Sequence, residues 1–165
     1  LDRRTAIVNN GQADVLISIH ADAAPRPSVR GAQVLTLMPN GYQRRLPAAD
    51  TSATVPVAGG GTRMIDVVPW ELAQLPHLDR SNSFAASVVQ HLRDRQIPLA
   101  ARPQDTAPLR LLAGANMPAI LLSVGFLTNV DDAAALAGAD VPASIVDALI
   151  AALIDLRAEM ARGRR

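Results

Sequence analysis

The chain has 165 residues, of which 49% are hydrophobic and 19% are charged, and its formal net charge at pH 7 is +1. This size and composition predict one folded domain with a hydrophobic core and exclude a disordered chain. The near-zero charge and the 2% aromatic content argue against a nucleic-acid partner, and the absence of cysteine excludes disulfides and thiolate metal sites.

Two strands are predicted in the first quarter of the chain, after a helical start at residues 1–11. The run from Ala13 to His20 is almost continuously aliphatic, which is typical of a buried strand in a sheet covered on both faces. A second strand is predicted from Gly31 to Met38, after a proline-rich turn. Because the two strands are close in sequence, we expect them to be neighbours in the sheet.

The segment from Tyr42 to Leu78 has a different character. It contains prolines at intervals, a triple-glycine run and only one short helical candidate, Trp70–Gln74. These features predict an irregular, lid-like insertion at about residues 42–78. We expect it to interrupt a single domain that spans residues 1–165.

The remainder of the chain predicts helices and one further strand. The helices are expected at about Asp79–Arg95, 131–137 and 142–162, and the strand at Pro118–Val124. Buried strands separated by amphipathic helices indicate a layered α/β fold, in which active sites gather at the carboxyl ends of the strands. His20 and Ser123 both lie at such ends.

Three segments carry recognisable patterns in order: LDRRTAIVN at residues 1–9, ADVLISIHADA at 13–23 and PAILLSVGFLTN at 118–129. They are similar to the patterns L-x-x-R-x-x-x-A-N, A-D-L-x-I-S-I-H-A-[ND]-A and P-A-x-L-x-E-x-G-F-[IL]-[ST]-N of zinc-dependent N-acetylmuramoyl-L-alanine amidases of the Amidase_3 type. Val8 replaces the family's alanine, and Ser123 replaces its glutamate. The strand that ends in SIHADA is the most specific part of the resemblance.

The resemblance implies a mixed, largely parallel central sheet with helices on both faces, from which this chain would lack the N-terminal strands. It also implies a zinc-dependent hydrolase that cleaves the amide between N-acetylmuramic acid and L-alanine in peptidoglycan. Family members bind zinc through two histidines and a glutamate, and a further glutamate acts as general base and acid. His20 matches the second histidine ligand, and Ser123 occupies the position of the catalytic glutamate.

The other two zinc ligands of the family would belong to a segment upstream of Leu1. The resemblance therefore implies a truncated copy with a degenerate active site, and we expect the chain as printed to be inactive on its own. The sequence has only two glutamates that could substitute, Glu71 and Glu159. Glu71 lies in the insertion and could fold over the cleft, but solvated surface positions are the favoured interpretation for both.

Other roles for the two central residues remain open. His20 could be a core histidine bonded to backbone, although the flanking motif favours the metal ligand. Ser123 could be a nucleophile activated by His20, but no acid is placed to orient the imidazole and no nucleophile-elbow glycines flank the serine. A steric replacement of the family's glutamate is the favoured interpretation of Ser123. His77 and His91 are interpreted as surface residues.

A second class of function is an amidase-like domain that has lost catalysis and binds peptidoglycan or a divisome partner. In both classes the expected partner is peptidoglycan or its muropeptides, and the resemblance implies a periplasmic or extracellular location in the cell envelope. The printed sequence shows no signal peptide and no apolar stretch of membrane-spanning length. Any targeting signal would lie upstream of Leu1.

Overall fold

The computed structural model of the chain describes residues 2–38, 52–56, 60–66 and 72–163. The α-helices are α1 (Asp2–Asn10), α2 (Leu78–Asp94), α3 (Arg110–Ala113), α4 (Val130–Ala137) and α5 (Asp140–Gly163), and a 3-10 helix covers Leu75–His77. The strands are β1 (Leu16–Asp22), β2 (Ala32–Leu37), β3 (Ser52–Pro56), β4 (Thr62–Asp66), β5 (Leu99–Ala107) and β6 (Ala119–Phe126).

Four strands form the main sheet in the order β1-β6-β2-β5. β1 is parallel to β6 and β2 is parallel to β5, whereas β2 and β6 are antiparallel. The predicted α/β fold with a mixed, largely parallel sheet is confirmed. The prediction that the first two strands pair is wrong, because β6 lies between them. Residues 119–123 of β6 are all buried, which explains why this strand takes a central place.

Helices cover both faces of the sheet, as predicted. Ile120 and Leu122 of β6 pack with α2 and α5 in one hydrophobic core. Ala119 and Leu121, the alternate residues of the same strand, pack with α3 and α1 in a second core. Each buried leucine or isoleucine contributes roughly 1.5–3 kcal/mol to folding. β6 is therefore the element that joins the two cores.

The sequence patterns do not predict β3, β4 or β5. Among the described residues β5 pairs with β2 alone, and its residues largely alternate between half-buried and exposed, so it is an edge strand that tolerates Pro103. β3 and β4 form an antiparallel hairpin within the segment predicted to be irregular, at residues 42–78. The predicted helical turn at Trp70–Gln74 lies partly outside the described residues, and Glu71 lies wholly outside them.

β1 lies at the other edge of the main sheet. No strand pairs with its outer side in the part of the chain that the structure describes. Each of its residues is half-buried or exposed, and Ile19 is 58% exposed. The prediction of a strand buried on both faces is therefore wrong here: the residues are those of an interior strand, but the position is an edge.

α5 is the longest helix, with 24 residues. Ile145, Leu149 and Leu156 lie on the face that packs in the core, whereas Ile150 and Ile154 are 51% and 64% exposed. Within the described ranges, no single helix is long and apolar enough to cross a membrane, while α4 and α5 meet the length and composition requirements together, as a pair bent by 80°.

A polar contact joins α2 to α5 at the surface. The Asp155 carboxylate accepts a hydrogen bond from Ser87 Oγ at 2.9 Å and lies 2.8 Å from His91 Nε2. The hydrogen bond with His91, followed by that from Ser87, holds the pKa of Asp155 below its ordinary value of 3.8. His91, interpreted from the sequence as a surface residue, is thus half-buried against a carboxylate of the neighbouring helix.

This contact predicts a small pH dependence of stability. Because the pKa of Asp155 is lower in the folded chain, its hydrogen bonds stabilise the fold above pH 3.8, and this stabilisation is lost as the pH falls through the lowered pKa. We expect Asp155→Asn to lower the thermal midpoint slightly at neutral pH, with a difference that shrinks in acid. Thermal unfolding monitored by circular dichroism checks this. Asp147→Asn, at an exposed carboxylate of the same helix, is the control and should show no such trend.

Candidate functional site

Three polar side chains lie in a row across three adjacent strands. His20 of β1 is the register partner of Ser123 in the parallel β1–β6 pair, and Gln33 of β2 is the partner of Ser123 in the antiparallel β2–β6 pair. Register partners project to the same face of a sheet. We call His20, Ser123 and Gln33 the polar row. It lies on the sheet face of the second core, next to the paired residues Leu35 and Leu121.

His20 is half-buried near the carboxyl end of β1. Its ring Nε2 lies 2.9 Å from the hydroxyl of Ser18, which is two residues earlier on the strand and therefore on the same face. This contact fixes the orientation of the imidazole, with donor and acceptor roles that depend on the tautomer. The structure therefore provides His20 with a local support that the sequence patterns did not single out.

Ser123 is fully buried, with 0% of its surface exposed. Its hydroxyl oxygen has no hydrogen-bond partner among the described residues. A buried polar group left in this condition costs on the order of 1–3 kcal/mol. Ser123 and His20 are neighbours, yet the imidazole is bonded to Ser18 and not to Ser123. The geometry accordingly does not support a serine nucleophile activated by His20, which requires that hydrogen bond.

Gln33 is the member of the polar row that sequence reasoning missed. Its side-chain Nε2 donates to the backbone carbonyl of Arg102 in β5 at 2.9 Å. The partner strand was itself not predicted, so the contact of Gln33 with Arg102 could not be predicted either. The alternation of polar Gln33 with buried Ala32 and Val34 was the one available signal.

The donor set of the described residues does not fit a catalytic zinc ion. Such a site needs three protein ligands, and no group of three or more histidine, aspartate or glutamate side chains comes together in the described part of the chain. In the polar row His20 stands beside a hydroxyl and a carboxamide, neither of which is a usual zinc ligand. His77 and His91 lie elsewhere, where they contact Asn116 and Asp155.

A groove of about 420 Å³ lies away from the polar row. It runs between Asp14 and Val15, which precede β1, and the C-terminal half of α5, including Leu153 and Met160. Its lining is mainly apolar and contains no member of the polar row. The polar row and this groove are therefore separate features of the described structure.

Comparisons with known proteins give a consistent family. A family model described as N-acetylmuramoyl-L-alanine amidase (Amidase_3) matches residues 1–155. The N-acetylmuramoyl-L-alanine amidase AmiC of Neisseria meningitidis serogroup B is 32% identical over an alignment of 126 residues that covers 72% of this chain and 30% of AmiC. This match includes less than a third of the curated relative.

Solved structures of amidases share the fold. The N-acetylmuramyl-L-alanine amidase Ami1 from Mycobacterium smegmatis matches with a TM-score of 0.66 and 22% identity, covering 94% of this chain and 59% of Ami1. The CwlD amidase from Clostridioides difficile, in complex with the GerS lipoprotein, matches with a TM-score of 0.65 and 16% identity, covering 95% of this chain and 61% of CwlD. The chain thus spans about three fifths of each of these two structures.

Proposed function

Because the chain belongs to the N-acetylmuramoyl-L-alanine amidase family, we propose that it forms part of a peptidoglycan hydrolase that cleaves the amide between N-acetylmuramic acid and L-alanine. The observation that carries the proposal is the polar row. It brings together His20 and Ser123, on neighbouring parallel strands, near the ends at which α/β folds build their active sites.

Hydrolysis of an amide needs an activated water, a stabilised oxyanion and a proton for the leaving amine. The polar row provides one imidazole, held by Ser18, and two neutral groups. An unionised hydroxyl such as Ser123 does not shuttle protons at neutral pH, because it ionises far above that range. Catalysis therefore requires further groups from outside the described residues. Zinc is the cofactor expected from the family, and the described residues alone do not fit it.

The second candidate function is a module that binds peptidoglycan or a cell-division protein without cutting. The buried, unpartnered hydroxyl of Ser123 favours it, because the family motif has a carboxylate at this place. The C. difficile CwlD amidase was solved in complex with a lipoprotein, which supports the idea that an amidase domain can also present a protein-binding surface. Both candidate functions imply a location in the cell envelope, outside the cytoplasmic membrane.

Purified peptidoglycan sacculi provide the test of substrate class. We expect the 165-residue chain to sediment with sacculi but not with chitin, a related glycan that lacks stem peptides. We expect mass spectrometry to detect little release of stem peptides with a free L-alanine amino group, because the polar row alone lacks the catalytic groups. The longest reading frame that contains these 165 residues is assayed in parallel.

The outcomes separate the two candidates. Peptide release by the longer protein, with cleavage at the muramoyl amide, supports the hydrolase. Sedimentation of both proteins without any release supports the binding module instead. Equal recovery with sacculi and chitin, or with neither, contradicts specific binding of peptidoglycan by this chain, and the absence of both binding and peptide release contradicts the hydrolase.

A further inference from the structure

Two segments at the end of the sheet that carries the polar row run side by side and are bonded together. They are residues 22–31, from the last residue of β1 to the residue before β2, and residues 126–132, from the last residue of β6 into the first turn of α4. Together we call them the clasp. Its backbone contact is the donation from Leu127 N to the Asp22 carbonyl at 2.7 Å. The side-chain contacts are Ala24 N to Thr128 Oγ1, Asn129 Nδ2 to the Pro27 carbonyl, Arg30 to Asp131, and Gly31 N to Asp132 Oδ2.

Asp132 is the buried member of the clasp, with 6% of its surface exposed. Its Oδ2 accepts two backbone hydrogen bonds, from Gly31 N at 2.8 Å and from Phe126 N at 2.9 Å. Asn129 holds Asp132 in turn, since its side-chain oxygen accepts from the backbone N–H of Asp132 at 3.1 Å and caps α4. One carboxylate oxygen thus joins the start of β2 to the end of β6.

The end of β6 is where the strand departs from regular pairing. His20 pairs with Ser123 but Asp22 pairs with Phe126, so β6 has one extra residue in this interval and forms a bulge directly after Ser123. Gly125 in the bulge has a φ of +153°, and a Cβ built on it would lie 3.0 Å from Asp132 Oδ2. The Asp132 carboxylate therefore lies where a side chain at Gly125 would be, and it accepts a hydrogen bond from the backbone N–H of Phe126, the residue after Gly125.

We infer that Asp132 is the positioning residue of the polar row: its carboxylate fixes the bulge after Ser123 and the backbone before Gln33, and thereby sets the row's spacing. The inference rests on the proposed function only in treating the row as the reactive or ligand-binding centre. Asp132 acts through backbone N–H groups of other residues, and its hydrogen bonds among the described residues do not include a member of the row.

The test uses three variants of the ¹⁵N-labelled 165-residue chain, compared by NMR well below each thermal midpoint. Asp132→Ala removes the acceptor, and we expect it to displace the amide resonances of His20, Ser123 and Gln33 and to accelerate exchange of the Gly31 and Phe126 amides. Asp132→Asn keeps an oxygen that can accept both bonds, so it should restore most of the wild-type positions. Asp131→Ala is the matched control, because it removes a neighbouring carboxylate of the same helix turn whose ion pair with Arg30 is exposed.

The inference is overturned if Asp132→Ala lowers the thermal midpoint but displaces the resonances of the polar row no more than Asp131→Ala does. Asp132 would then only stabilise the fold. If Asp132→Ala does not fold, Asp132→Asn is compared with Asn129→Ala. We expect Asn129→Ala to displace the amide resonances of the polar row more than Asp132→Asn does. Equal displacement in the two variants, or displacement spread over the whole chain, contradicts the inference. None of these measurements needs amidase activity. A failure to cleave peptidoglycan would count against the proposed function and leave the role of Asp132 standing.

Discussion

Replacing Ser123 by glutamate in the longest reading frame that contains these residues, with zinc supplied, should raise the rate of muramoyl-amide cleavage by about 100-fold to 10,000-fold. The reason is that this position of the family motif carries a general base and acid, and Ser123 has no ionisable group that can take this part. Position 123 is suited to a carboxylate, because Ser123 is the register partner of His20 and its hydroxyl has no hydrogen-bond partner among the described residues. Release of stem peptides from sacculi, followed by mass spectrometry, measures the change.

The matched control for this prediction is Ser123→Gln, which has nearly the same size as the glutamate variant but no carboxylate. Both variants place a larger side chain in a site with no exposed surface, and overpacking of this kind costs about 1–3 kcal/mol. Their stabilities should therefore fall together, whereas only the glutamate variant should gain activity. Fast cleavage by the unmodified protein would contradict the idea that Ser123 has impaired catalysis, and an inert glutamate variant would show that the site lacks more than this one group.

Gly31→Ala should destabilise the fold by about 3 kcal/mol or more, from backbone strain and overlap combined. Gly31 has a φ of +89°, a conformation that costs an alanine about 1–2 kcal/mol. A Cβ at this position would also lie 2.5 Å from the carbonyl carbon of Leu99, so the backbone of β2 or β5 must shift. Urea unfolding followed by circular dichroism measures the loss.

Gly61→Ala isolates the conformational part of this effect. Gly61 has a φ of +92°, almost the same as that of Gly31, but a Cβ there meets no atom of the described residues within 4 Å. We expect it to cost at most about 1–2 kcal/mol, so the difference between the variants reports the overlap with Leu99. Equal losses for the two variants would mean that β2 and β5 separate easily at this point, contrary to the close approach in the structure.

The parts of the fold that could be predicted are those with strong local patterns. The aliphatic runs before His20 and Ser123 identify β1 and β6, and amphipathic spacing identifies α2 and α5 within a few residues of their ends. β5 could not be predicted, because an edge strand with Pro103 and alternating exposure lacks the hydrophobic run of an interior strand. The place of β6 between β1 and β2 is a long-range choice, decided by burial and not by closeness in sequence.

The candidate site divides in the same way. His20 and Ser123 follow from motifs that lie at strand ends, and the structure brings them side by side. Gln33 and Asp132 act through partners that only the assembled sheet provides: a carbonyl of β5, and two backbone N–H groups near the ends of different strands. Spacing along the sequence carries no record of those contacts, whereas the contact of Ser18 with the ring of His20 follows from the two-residue repeat of a strand.

The backbone N–H and C=O groups of β1 that point away from β6 form no hydrogen bond with another strand in the described ranges. From Val15 to Ile19 this side bears no charged residue of the kind that keeps natural sheet edges apart. We expect an extended apolar chain that meets this side, including a second molecule of the same kind, to lengthen the sheet by one strand. Sheet extension of this kind is an association between molecules, and its rate depends on their concentration. Dilution should therefore reduce precipitation of the 165-residue chain more than cooling does.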